Sequence, residues 1–177
     1  MTVTRFAPGH AGDDAVLVGD ARAGDEEAFR RLYERYARVV HGLLLARVPQ
    51  PDVDDLVQDV FVTAWRRLPT LRDPAAFGGW LSMIARNRAT DYHRQSVETV
   101  DLPDNLHASG SASARAEALA ILDLIRSLPE AYRETLVLRL VEGMTGQEIS
   151  ERTGLTAASV RVNLHRGMKM LREKLQR

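Results

Sequence analysis

The segment from Leu128 to Leu175, LPEAYRETLVLRLVEGMTGQEISERTGLTAASVRVNLHRGMKMLREKL, leaves the backbone few choices, because helix starts and stops alternate in it at short intervals. One helix is closed by Gly143. Thr145 then offers a hydroxyl N-cap, and Glu148, three residues on, can reach back to the Thr145 N–H, so TGQE reads as a capping box. Arg152-Thr153-Gly154 ends this short helix, with Gly154 free to take positive φ. Thr156 is a further N-cap, and Ala157 to Leu175 runs on without proline, with Gly167 its one glycine. A helix, a short helix, a tight turn and a long helix in this order read as a helix-turn-helix whose last helix can lie across a DNA major groove.

Charge agrees with that reading. From Thr153 onward six cations (Arg161, Arg166, Lys169, Arg172, Lys174, Arg177) face one anion, Glu173. Ile149, Leu155, Val160, Leu164, Met168 and Leu171 recur at helical spacing and form the expected buried stripe. This leaves Ser159, Arg161, Val162, His165, Arg166 and Lys169 on or near the open face as the DNA-contact candidates. For Arg172 to Arg177, complementing the dipole of the helix end is an equally good account.

Composition bounds the alternatives. A chain of 177 residues makes one large domain or two small ones, and 45% apolar content is ample for ordinary cores. With no Cys and five scattered His, thiolate metal sites and disulfides are excluded and no metal or cofactor is expected. No apolar run approaches the roughly 20 residues that span a bilayer, and the N-terminus lacks a signal-peptide core, so the expected compartment is a reducing cytoplasm with no membrane insertion. Net charge is zero, but the charges are segregated: residues 1–60 carry seven cations and eleven anions, residues 61–100 six cations and three anions. An acidic front with two basic patches behind it suits a protein that meets both DNA and a basic protein partner.

Punctuation divides the chain. Residues 1–12 show no apolar period and read as a mobile tail. Helices are expected over Asp13 to Ala23, over Glu26 to about Val48, from the Pro49-Gln50-Pro51-Asp52 stretch to Leu68, and over Ala75 to about Arg94. Their apolar faces hold Phe29, Leu32, Tyr33, Tyr36, Val40, Leu43 and Leu44, then Val53, Leu56, Val57, Val60, Phe61, Ala64, Trp65 and Leu68, then Phe77, Trp80, Leu81, Ile84, Ala85 and Tyr92. Residues 96–115, rich in Ser, Ala, Asp and Gly, read as a flexible linker too long for a loop inside one compact domain. A helical stripe through Leu119, Leu122, Ile125 and Leu128 then resumes. With no convincing period-two stretch, the fold class is all-α: two small helical domains, residues 13–95 and 116–177, joined by the linker.

Two helical domains in this order, with DVDDLVQDVFVTAWRR at Asp52 to Arg67, AFGGWLSMIARNRATDYHR at Ala76 to Arg94 and the helix-turn-helix at the end, resemble bacterial sigma factors of the extracytoplasmic-function group. These keep only the sigma-two and sigma-four domains. The resemblance implies binding to core RNA polymerase and promoter-specific initiation, with no catalysis by the chain itself. Its outward polar face, Asp55, Gln58 and Asp59, would dock on the clamp of the largest catalytic subunit, and the second domain would meet the flap of the beta subunit. The loop Arg67-Leu68-Pro69-Thr70-Leu71-Arg72-Asp73-Pro74 and the helix behind it would capture a base flipped from the minus-ten element, nominating Arg72, Arg86, Asn87, Arg88, Asp91 and Arg94. SVRVNLHRG would read the minus-thirty-five element, although Val162 and Asn163 depart from the small polar residue and the cation usual at those positions. An anti-sigma factor covering these surfaces is a further expectation.

Two readings from other classes compete. Asp54, Asp55 and Asp59 in an all-α chain resemble the magnesium-binding Asp cluster of isoprenoid synthases, but no second cluster exists to complete such a site. An ordinary two-domain helix-turn-helix regulator would bind its operator without polymerase.

Overall fold

The computed structural model describes residues 11–98 and 112–176. Most of the expected tail and of the expected linker lies outside the described residues. Among these the chain forms α1 (Ala11–Arg22), α2 (Glu26–Leu45), α3 (Val53–Arg67), α4 (Phe77–Glu98), α5 (Ala112–Arg126), α6 (Glu130–Leu140), α7 (Gly146–Thr153) and α8 (Ala157–Leu175), with no strand. Short 3-10 turns precede α3 and α4 and follow α3.

Local chemistry accounts for the boundaries. Gly24, at φ 98°, turns the chain out of α1. The Asp25 carboxylate then accepts the Glu27 and Ala28 N–H groups and starts α2. Both halves of the Thr145/Glu148 capping box form, Gly154 adopts φ 76°, and Thr156 accepts the Ser159 N–H to start α8. Asp52, at the N-cap position of α3, makes no side-chain capping bond; it instead accepts the Tyr92 hydroxyl at 2.7 Å, tying the start of α3 to α4.

α1 to α4 bury Leu32, Tyr36, Val39, Val40, Leu43, Val53, Val60, Phe77 and Leu81 in one core, while Ile125, Leu128, Leu136, Val137, Ile149, Val160 and Leu171 are buried in the second unit. Each such side chain contributes roughly 1.5–3 kcal/mol. Three residues of the expected apolar faces are corrected. Tyr33 is 40% and Trp65 39% exposed, at the rim of the α2/α3 stripe where Phe29 and Phe61 already fill the contact, with Phe29 edge-on to Trp65 at 4.7 Å. Leu119 is likewise exposed, on the first half of α5. Trp80 is partly buried against Phe77, as expected of a core residue.

The two units pack directly on one another. Glycines let their backbones approach: a Cβ on Gly42 would lie 2.7 Å from Leu138 Cδ2, one on Gly78 would lie 2.8 Å from the Arg152 carbonyl, and one on Gly154 would lie 3.1 Å from Gly79 Cα. Arg126 of α5 closes the end of α2, donating to Leu45 O at 2.9 Å and to Val48 O at 2.6 Å.

Candidate nucleic-acid interface

The open face of α8 carries Ser159, Arg161, Val162, His165, Arg166 and Lys169, and all six are exposed. Val160, Gly167 and Leu171 sit on its buried side. Gly167 is needed there, since a Cβ would press on Leu136 at 3.0 Å. Among the described residues none of Arg161, Arg166 and Lys169 meets a carboxylate, so their charge faces outward. Thr145 caps α7 and Thr156 caps α8, which fixes the ends of the two helices that flank the turn. Such a surface can neutralise phosphates and reach base edges.

The α4 side is less open than its sequence suggests. Arg72 in the loop and Asn87 and Arg94 on the helix are exposed, whereas Arg86, Arg88 and Asp91 are half-buried. Arg94 pairs with Asp91 at 2.6 Å, and Arg88 donates to Asp59 at 2.7 Å. The latter bond joins a minus-ten candidate to a polymerase-docking candidate. Arg86 forks onto Glu134 of α6, Nε to Oε1 and Nη2 to Oε2, both at 2.9 Å. Arg47, at the end of α2, donates to the same carboxylate, Nη2 to Oε1 at 2.5 Å, and also pairs with Glu130. Glu134 is only 7% exposed. Burial alone would raise its pKa, but the Arg86 and Arg47 guanidiniums outweigh that and hold it below the usual carboxylate range. Met83, one turn before Asn87, is 54% exposed and adds an apolar surface to that face which no period revealed.

On α3, Asp54, Asp55, Gln58 and Asp59 all point outward, while Val53, Leu56, Val57 and Val60 are buried. Beside them the seam between the units continues: His41 Nδ1 lies 2.6 Å from Glu142 Oε1, with Arg38 Nε 3.7 Å from Oε2. The hydrogen bond to Glu142 raises the His41 pKa above its ordinary value, against partial burial. Among the described residues no group of acidic and His side chains is placed to hold a metal ion, and no helix is long and apolar enough to cross a membrane.

Comparison with known proteins agrees with this arrangement. Sigma-70 region 2 matches residues 32–98, and Sigma-70, region 4 matches residues 118–171. The chain is 31% identical to the ECF RNA polymerase sigma-E factor of Haemophilus influenzae over 92% of its own length and 95% of that protein. It is 32% identical to the Escherichia coli K12 sigma-E factor over 92% and 94%. Among solved structures, CnrH in complex with the cytosolic domain of CnrY matches 93% of this chain and 97% of that one, at 28% identity and a TM-score of 0.65. The sigma factor RpoE of Bartonella quintana, solved with the anti-sigma factor NepR, shares the fold at 16% identity and a TM-score of 0.55. With an outward basic recognition helix, a capped turn beneath it and both sigma regions in order, this chain belongs to the ECF sigma factors of RNA polymerase, alternative sigma factors that act in transcription initiation.

Proposed function

We propose that this sigma factor docks on the clamp of core RNA polymerase through Asp55, Gln58 and Asp59 of α3, reads the minus-thirty-five element with α8, and captures and opens the minus-ten element with Arg72, Asn87 and their neighbours. The observation that carries it is the α8 face, six exposed residues with three carboxylate-free cations on a doubly capped helix-turn-helix. The beta flap is the expected seat of the second domain, and the cytoplasm the expected compartment. Since CnrH is solved in complex with the cytosolic domain of CnrY, a protein inhibitor of this chain, an anti-sigma factor, belongs to the same proposal.

Run-off transcription with purified core polymerase tests the reading: initiation should depend on the chain. A plain operator-binding regulator would instead hold duplex DNA tightly without polymerase. Arg166→Ala is expected to relax preference at one base pair, a loss of roughly 1–3 kcal/mol of discrimination. Lys169→Ala should weaken all promoters alike and reduce the salt slope by about one. Equal effects of both variants on every sequence would remove base readout from Arg166.

We further propose that the packed arrangement is that of the polymerase-free state. The two promoter elements lie about 25 base pairs apart, on the order of 80 Å of duplex, whereas a compact body of this size has a radius of gyration of about 16 Å. The units must separate to reach both. The seam facing His41 includes Glu142, Arg38 and Asp54. Because the His41 pKa is raised, its charged contact with Glu142 is complete below the ordinary value of 6.5 and is lost as pH rises through the raised one. Raising pH from about 6 to about 8.5 should therefore lower the closed fraction. With no native Cys, one introduced cysteine in each unit gives a specific pair for energy-transfer measurement. His41→Gln should flatten the pH response, and an unchanged response in that variant would place the titration elsewhere.

A further inference from the structure

We propose that Arg22, the last residue of α1, is a positioning residue for promoter opening: it holds the loop between α3 and α4 from behind, in the shape that receives an extruded base. The inference rests on the reading of that loop given above. Arg22 Nε donates to Leu68 O at 3.1 Å, and Nη2 donates to Leu71 O. The two acceptors bracket the 3-10 turn Leu68–Thr70, which the Leu71 N–H closes onto Leu68 O at 3.2 Å. At Leu71 the backbone becomes extended, φ −68° and ψ 114°, so the helical ladder stops there and the Leu71 carbonyl takes its donor from another element.

The loop is thereby divided into a fixed inner side and a free outer one. Leu68 and Leu71 are buried, while Pro69, Thr70, Arg72 and Asp73 are exposed. Asp73 accepts the Ala75 N–H at 3.0 Å and starts the turn into α4. Arg22 is itself held in place: Val18 and Ala21 are buried on its helix, and the Gly24 turn with the Asp25 cap fixes where α1 ends. A guanidinium suits the task because its planar fork can serve two carbonyls at once, and charge-assisted hydrogen bonds are stronger than neutral ones. Ordering a free loop costs conformational entropy at every residue that is fixed. A loop already held does not meet that cost when the base arrives, which is the general advantage of preorganisation.

The test uses full-length chain with core polymerase on a promoter where the reconstituted enzyme initiates, comparing Arg22→Ala, Arg22→Lys and Asn87→Ala. Opening is read as permanganate reactivity of minus-ten thymines over time, beside the affinity for core. Arg22→Ala is expected to slow opening by about tenfold or more, the scale of losing a charged hydrogen-bonding group, with core affinity unchanged. Arg22→Lys, a point charge that serves fewer acceptors, should fall between Arg22→Ala and wild type. A heteroduplex template already unpaired at minus-ten should recover most of the loss, which a merely structural defect would not allow. Wild-type opening by Arg22→Ala or Arg22→Lys, together with slow opening by Asn87→Ala, overturns the role of Arg22 and leaves the loop reading intact. Wild-type opening by all three overturns the loop reading itself. Slow opening with core affinity lost in both Arg22 variants, and no recovery on the heteroduplex, assigns Arg22 to the fold alone.

Discussion

Glu134→Ala is expected to open the closed body. The carboxylate neutralises two guanidiniums across the seam, Arg86 of α4 and Arg47 after α2, and all three groups are largely withdrawn from water. Removing the shared partner of a buried cluster leaves uncompensated charge and costs about 3 kcal/mol, roughly a hundredfold shift from closed to open. Scattering should show a larger radius of gyration, and energy transfer between labels on the two units should fall. Glu134→Gln keeps the shape and one acceptor and should lie between. The pH window separates this lock from His41: the Glu134 pKa is lowered, so its contribution is present above the ordinary value of 4.5 and is lost only as pH falls through the lowered one. Between about pH 6 and pH 8.5 it stays ionised. The freed Arg86 should also raise affinity for duplex DNA without polymerase and steepen its salt dependence by about one. An unchanged radius in Glu134→Ala would show that the glycine approaches, Arg126 and the His41–Glu142 contact hold the seam without it.

What could be read beforehand was the local part. Thr145, Glu148, Gly154 and Thr156 act on backbone within three residues of themselves, so the capping box, the left-handed turn and the start of α8 were legible as a pattern. The same holds for the exposed faces of α8 and α3, which follow from helical period. The seam was not legible in this way. Glu134 meets Arg47 and Arg86 across 87 and 48 residues of chain, and no period links them. As a sequence feature Arg86 looks like any cation on a polar face, which is why it was expected to face DNA, yet in the closed body it faces α6. One signal was present: Gly78-Gly79 stands in the first turn of a helix, where glycine costs roughly 1 kcal/mol each relative to Ala. Close backbone approach compensates such a cost, and Arg152 O and Gly154 supply it.

Asp14→Ala is expected to destabilise the first unit most. Asp14, in the first turn of α1, is 6% exposed, accepts the Tyr36 hydroxyl at 2.5 Å and pairs with Arg35. In sequence it is one of two adjacent acids near a helix start, and dipole complementarity alone would explain both. In the structure it is the polar anchor of α1 on α2. Its loss leaves a buried hydroxyl and a mostly buried guanidinium without their acceptor, a cost of about 3 kcal/mol, which in a unit of this size lowers the melting temperature by about 10 °C or more. Asp14→Asn keeps an acceptor for Tyr36 but not the ion pair and should lose about half as much. Because α1 also carries Arg22, loosening its anchor should slow promoter opening as Arg22→Ala does. The two variants part on stability: Arg22→Ala should melt near wild type, since Arg22 is itself exposed and its bonds hold one loop only, whereas Asp14→Ala should combine slow opening with early melting. If Asp14→Ala melts early yet opens DNA at the normal rate, α1 stabilises the unit without shaping the loop, and the mechanical link from Asp14 through α1 to the loop is broken.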